Sequence, residues 1–133
     1  MMNKELLIVD DDLPFRERLS QSMAKKGFTV ETFSSAHQVK ERINNKLFDY
    51  AIVDMRLEDG SGLELIQEIK KHSPNTKSLL LTGYGNIPTA VAAVKAGAID
   101  YIPKPADADD VEKALLAQPN SKATPPWKSY VGR

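Results

Sequence analysis

The sequence predicts an α/β fold in which one five-stranded parallel sheet is doubly wound, with helices on both faces. Two observations carry this. Five short apolar or β-branched runs alternate with five stretches of helical apolar spacing, in (βα)₅ order. The runs at 6–9, 50–53 and 79–81 are apolar without a break, as strands are when both of their faces are covered. Alternating strands and helices close into a parallel sheet, and right-handed crossovers put helices on both sides of it.

The first strand, Leu6 to Val9, breaks on Asp10-Asp11-Asp12. A helix follows from Leu13, with Phe15, Leu19 and Met23 on one face. Asp12 caps it, Pro14 sits in the first turn where no intrahelical N–H is needed, and Gly27 stops it. Phe28 to Phe33 mixes β-branched and aromatic residues with partial alternation, the pattern of a strand near an edge. Ser35 with Gln38 forms a capping box for a second helix that turns Val39 and Ile43 inward and ends on Asn44-Asn45.

Tyr50 to Asp54 is the third strand, and Ser61 with Glu64 is a second capping box. The third helix points Leu63, Ile66 and Ile69 inward and ends at Ser73-Pro74-Asn75. Ser78 to Leu81 is the fourth strand, closing on Thr82-Gly83-Tyr84-Gly85. The fourth helix has Ile87, Ala90, Val91 and Val94 about one turn apart and Gly97 as its stop. The fifth strand, Ala98 to Ile102, ends in Pro103-Lys104-Pro105, and a last helix from Asp107 to Ala117 turns Val111, Ala114 and Leu115 inward. Beyond it, Pro119, Pro125 and Pro126 stand among polar residues with no periodicity. Residues 1–118 are therefore expected to form one domain, and 119–133 a tail or linker without an output domain. Trp127 and Tyr130 in that tail read as a segment docking on its own domain.

Composition narrows the function. At 133 residues and 41% hydrophobic content the chain suits one domain with a sizeable core. Lys plus Arg balances Asp plus Glu at 18 each, so no global positive field is available to hold nucleic acid or an anionic membrane. The absence of Cys removes disulfide frameworks, zinc ribbons and thiol catalysis. The apolar stretch at Leu6 to Val9 is too short for a signal-peptide core or a membrane span, which makes a cytoplasmic protein the expectation.

Chemistry gathers at the strand ends, where open parallel sheets bind their ligands. Asp10 and Asp11 follow the first strand, Asp54 ends the third, Thr82 the fourth and Lys104 the fifth. Taken singly, the acidic run reads as a helix cap, Asp54 as a turn residue and Lys104 as a surface lysine. Together they place three carboxylates where mutual repulsion demands a proton or a cation. Oxygen ligands from carboxylates, a main-chain carbonyl and water suit Mg²⁺. The Thr82 hydroxyl and the Lys104 ammonium suit the oxygens of a phosphoryl group. Asp54 is then an acceptor that forms an acyl phosphate. Arg56, Glu58 and Asp59 read as a solvated loop, with Arg56 and Tyr84 near enough to affect hydrolysis. His37 and His72 lie on helices, away from the strand ends, and neither is placed to carry phosphate.

With these residues in this order, the chain from about Asn3 to Ala117 resembles the receiver domains of two-component response regulators. The resemblance rests on Asp10-Asp11, Asp54 after Ala51-Ile52-Val53, Thr82 after Leu79-Leu80-Leu81, and Lys104-Pro105. It implies that Asp54 is phosphorylated by a sensor histidine kinase. It also implies that Asp11, Asp54 and the main-chain carbonyl of Arg56 contact Mg²⁺ directly, with Asp10 acting mainly through water. Thr82 and Lys104 would grip the phosphoryl oxygens, the Lys104–Pro105 bond would be cis, and Tyr101 would be the switch aromatic that turns inward when Thr82 moves. The sheet order implied is 2-1-3-4-5, that of flavodoxin and the chemotaxis protein CheY.

The string from Leu79 to Asp110 looks closest to the RegA/PrrA/ActR subgroup of redox-linked transcriptional regulators. In that subgroup a proline-containing linker leads to a helix-turn-helix domain, which does not follow here. The resemblance therefore implies a phosphorylation-dependent homodimer and transcriptional control through an absent output domain, with no DNA binding by this chain. It further implies no enzymatic turnover beyond the domain's own phosphorylation and dephosphorylation. Charged hydrogen bonds from Thr82 and Lys104 amount to about 3 to 6 kcal/mol gross. Inverting a 1:99 equilibrium takes about 5.5 kcal/mol, so one phosphoryl group suffices to bias a switch built on the fourth helix, fifth strand and fifth helix.

Two other readings compete. Asp10-Asp11-Asp12 after an apolar strand also fits a haloacid-dehalogenase-type phosphatase with Asp10 as nucleophile, although Leu13 stands where that family has Thr or Val. A flavin- or nucleotide-binding module lacks its Gly-rich loop here, and Asp10 to Asp12 would repel phosphate.

Overall fold

The five apolar runs pair into one parallel sheet in a computed structural model, which describes residues 4–83 and 87–117. In chain order the elements are β1 (Glu5–Val9), α1 (Leu13–Lys25), β2 (Thr29–Phe33), α2 (Ala36–Ile43), β3 (Tyr50–Asp54), the short strands β4 (Arg56–Leu57) and β5 (Gly60–Ser61), α3 (Gly62–His72), β6 (Lys77–Thr82), α4 (Ile87–Ala96), β7 (Asp100–Pro103) and α5 (Ala108–Leu116). The large sheet has the order β2-β1-β3-β6-β7, which is the expected 2-1-3-4-5 once the β4–β5 hairpin is set aside.

Strand alternation divides the core into two layers. Leu7, Val9, Ala51, Val53 and Leu80 pack with residues of α2, α3 and α4, among them Val39, Leu65, Ile66 and Ala93. Leu6, Ile8, Ile52, Leu79 and Leu81 pack with Phe15, Leu19 and Met23 of α1 and with Val111 and Leu115 of α5. Among the described residues no helix is long and apolar enough to cross a membrane.

Three local features depart from the expected pattern. The inward face of α4 is the stripe Ala90, Ala93 and Ala96, while Val94 is 59% exposed. A row of small residues lets the helix backbone sit close to its neighbours, and this turns the valine outward. The last strand begins at Asp100 rather than Ala98, because the Ala98 N–H bonds back to the Ala93 carbonyl at 3.0 Å and closes the end of α4, where Gly97 has a φ of +107°. In α3 the buried residues include Leu65, with Leu63 only partly covered, since the helix starts directly from the hairpin at Gly62. The expected tail at 119–133, with Trp127 and Tyr130, and Tyr84 lie outside the described residues.

Candidate functional site at the strand ends

The sheet's hydrogen bonding continues one step past the strands and thereby fixes the site's backbone. Asp10 N–H donates to the Phe33 carbonyl at 3.1 Å, Met55 N–H to Leu81 at 2.7 Å, and Lys104 N–H to Thr82 at 2.7 Å. Along their strands Asp10, Asp54 and Lys104 continue the alternation of Ile8, Ile52 and Ile102, the residues that pack toward α1 and α5. All three therefore come from one face of the sheet.

Asp10 is fully buried. Its Oδ1 accepts from the Asp12 N–H at 2.9 Å, its Oδ2 from Lys104 Nζ at 3.0 Å, and its main-chain oxygen from Arg16 Nη1 at 2.5 Å. Lys104 Nζ also lies 3.7 Å from Asp54 Oδ2 and 4.7 Å from the centre of the Phe15 ring, so a lysine on a short segment is held by two carboxylates and an aromatic face. Lys104–Pro105 is cis, as the resemblance implied. Asp12 meanwhile caps α1 by accepting from the Phe15 N–H at 3.2 Å.

Asp10, Asp11 and Asp54 each present a carboxylate oxygen within 4.8 Å of the other two. Asp11 is exposed and the other pair buried. Burial pushes the Asp54 carboxyl up to about 6; the negative charge of Asp10 adds to this and Lys104 opposes it. For Lys104 burial pulls downward, but the hydrogen bond and charge of Asp10 outweigh it and the ammonium is held above its usual range. Three crowded carboxylates facing a single lysine leave negative charge in excess. An oxygen-only donor set of this kind, with one carboxylate open to solvent, fits a hard divalent cation.

Thr82 is buried and follows Leu80 in facing the α2–α4 layer, where its hydroxyl lies 3.4 Å from Met55 Sδ. Tyr101 pairs with Leu80 across β6 and β7 and is half-buried against the same layer. Thr82 and Tyr101 thus share one face, one pleat repeat apart, opposite the face that supplies Asp10, Asp54 and Lys104. The two sets meet only at the sheet's carboxyl edge. The Arg56 side chain is exposed, and its backbone lies in the short β4 ladder opposite Ser61.

Three site residues were not anticipated as such. Gly62 approaches Asp54 so closely that a Cβ there would stand 2.0 Å from the Asp54 main-chain oxygen, while its own N–H donates to the Met55 carbonyl at 2.7 Å. Phe15, read as core, also carries the Lys104 ammonium on its ring. Asp59, read as a solvated loop residue, accepts from the N–H groups of Ala36 and His37 at 2.9 Å each. The Gly60-Ser61-Gly62 string following Asp59 was the available signal for a tight hairpin, but the docking of its tip on α2 is a long-range contact.

A model of the response regulator receiver domain matches residues 6–116. The chain is 48% identical over 124 residues to the photosynthetic apparatus regulatory protein RegA of Cereibacter sphaeroides and 47% identical over 124 residues to the acid tolerance regulatory protein ActR of Rhizobium meliloti. Each alignment covers 93% of this chain, but only 67% of RegA and 64% of ActR, so the chain spans about two thirds of these relatives. Among solved structures, a response regulator protein from Burkholderia pseudomallei with a phosphorylated aspartic acid, calcium ion and citrate superimposes with a TM-score of 0.83 at 32% identity, covering 88% of this chain and 69% of that one.

Proposed function

This chain belongs to the response regulator receiver domain family, and from that premise we propose that Asp54 takes a phosphoryl group from the phosphohistidine of a sensor histidine kinase. The observation that carries this reading is the meeting of Asp10, Asp11 and Asp54 within 4.8 Å, with Lys104 Nζ 3.7 Å from Asp54. A carboxylate oxygen of Asp54 attacks phosphorus, the P–N bond to the donor imidazole breaks with its electron pair leaving on nitrogen, and an acyl phosphate forms. Burial and the Asp10 charge raise the Asp54 carboxyl, and a cation bound beside it would favour the ionised form that attacks.

Lys104 is placed to move from Asp10 toward the new phosphoryl oxygens, since both carboxylates are already within its reach. Asp10, Asp11, Asp54 and the main-chain carbonyl of Arg56 are the groups that would hold Mg²⁺, which when bound neutralises charge on the transferring group. Thr82 then swings its hydroxyl from the Met55 side toward the phosphoryl group, and Tyr101, on the same face, fills the space it leaves. The surface that changes is that of α4, β7 and α5, and the exposed Val94 and Ile99 on it support pairing with a second copy of the chain.

The similarity to RegA and ActR, both named regulatory proteins, supports a regulatory role, which in our reading is cytoplasmic and is exerted on transcription through an output region. This chain would not bind DNA itself and would catalyse nothing beyond its own phosphorylation and dephosphorylation. Asp10 is the weaker candidate for a nucleophile, because it is fully buried whereas Asp54 keeps some exposure. The test is incubation with acetyl phosphate, with magnesium and after chelation, read by intact mass. Addition of one phosphoryl group only when magnesium is present is expected, and no addition under either condition overturns the reading.

A further inference from the structure

We infer that Asp59 is a positioning residue for the cation site, acting by pinning the hairpin between Asp54 and Gly62 onto the start of α2. This rests on the reading above that the Arg56 carbonyl is one of the cation's ligands. The hairpin is held at its base by the bonds Met55 N–H to Leu81 and Gly62 N–H to Met55, both 2.7 Å. Between base and tip there are only the two residue pairs Arg56–Ser61 and Leu57–Gly60. A ladder this short does not hold its own geometry in water.

Leu57 anchors the middle of the hairpin by burying its side chain among core residues of α2 and α3, and the tip beyond it is fixed by Asp59, whose two carboxylate oxygens accept separately from Ala36 N–H and His37 N–H, each at 2.9 Å. These are the first two amides of α2, and the third, Gln38 N–H, is taken by Ser35 Oγ at 3.3 Å. The amides of Ala36 and then His37 hold the Asp59 carboxyl below its usual range. The hairpin is thus tethered at both ends with the Arg56 carbonyl between them. Removing the tip anchor leaves the Arg56 carbonyl constrained only from its inner side, by Met55, Gly62 and the buried Leu57 side chain, and part of the ordering of this ligand becomes a cost of cation binding.

The experiment is calorimetric titration of Mg²⁺ into wild type, Asp59→Ala, Asp59→Asn and Ser35→Ala, with the melting temperature of each variant measured alongside. Ser35→Ala is the control for helix stability, because it removes a cap from the same helix without touching the hairpin. Asp59→Ala is expected to bind Mg²⁺ about tenfold more weakly, with Asp59→Asn, which keeps one acceptor oxygen, in between, and Ser35→Ala at the wild-type affinity despite a lowered melting temperature. If Asp59→Ala does not fold, Asp59→Asn carries the comparison. Wild-type affinity in the Asp59 variants, or equal weakening in Ser35→Ala, overturns the inference. Failure of the wild type itself to bind Mg²⁺ overturns the underlying reading of the site instead.

Discussion

Lys104 Nζ sits 3.0 Å from Asp10 Oδ2, nearer than its 3.7 Å to Asp54 Oδ2. The lysine at the end of the last strand is therefore parked on the fully buried acid of the first, and in the proposed reaction it would leave that acid for the phosphoryl oxygens.

Replacing Lys104 by Met strands the Asp10 charge in the interior. Because Lys104 is itself 22% exposed, the full cost of breaking a buried pair is reduced by solvent, and a loss of about 1 to 3 kcal/mol is expected in urea unfolding. The phosphorylation rate with acetyl phosphate is expected to fall about 100-fold, as for loss of one donor that stabilises developing charge. An unchanged rate would mean that the lysine never reaches the phosphoryl group.

Asp54 makes the cation-free protein sensitive to pH. Its carboxyl is raised by burial and by Asp10 to about 6, so the folded state holds the proton more tightly than the unfolded chain does. The associated stability is complete below the unfolded value of about 3.9 and disappears as pH rises through about 6, a change of up to about 3 kcal/mol. Asp54→Asn removes this dependence and is expected to be more stable than wild type at pH 7 in the presence of a chelator. Added Mg²⁺ should close the gap. Denaturant midpoints of both proteins across this pH window provide the check.

Gly62→Ala forces a Cβ against the Asp54 main-chain oxygen, 2.0 Å away before relaxation. The backbone of Asp54 has to shift, so a destabilisation of about 1 to 3 kcal/mol is expected together with a marked drop in phosphorylation rate. Alanine at Gly83, where a Cβ meets nothing within 4 Å, should leave the rate near wild type.

Thr82→Ala separates acceptance from switching. The variant keeps Asp10, Asp11, Asp54 and Lys104 and is expected to accept a phosphoryl group, but the amide chemical shifts of α4 and β7 should no longer respond to it. A wild-type response in the variant would remove Thr82 from the switch.

How much of this was legible in the sequence depended on distance along the chain. Asp10, Asp54, Thr82 and Lys104 could be placed at one edge because each ends an apolar run, and the topology of a parallel sheet does the rest. The capping of α1 by Asp12 and of α2 by Ser35 was local and equally readable. Val94 was misread because helical spacing gives a face but not how the helix is rotated, which the alanine stripe of α4 decides by close packing. Asp59 escaped because its partners Ala36 and His37 lie more than twenty residues earlier in the chain, and an exposed aspartate in a glycine-rich turn looks the same whether or not a helix start waits for it. The Phe15–Lys104 contact is of the same kind: the apolar periodicity of α1 identified the phenylalanine as core and had no means of showing what lay across its ring.

The most direct measurement is residue-level mapping of the phosphoryl group after reaction of wild type and Asp54→Asn with acetyl phosphate and Mg²⁺. The label is expected on Asp54 in wild type and absent from the variant. Label on Asp10 in Asp54→Asn, or on any residue other than Asp54 in wild type, would contradict the assignment of the third-strand carboxylate as the acceptor.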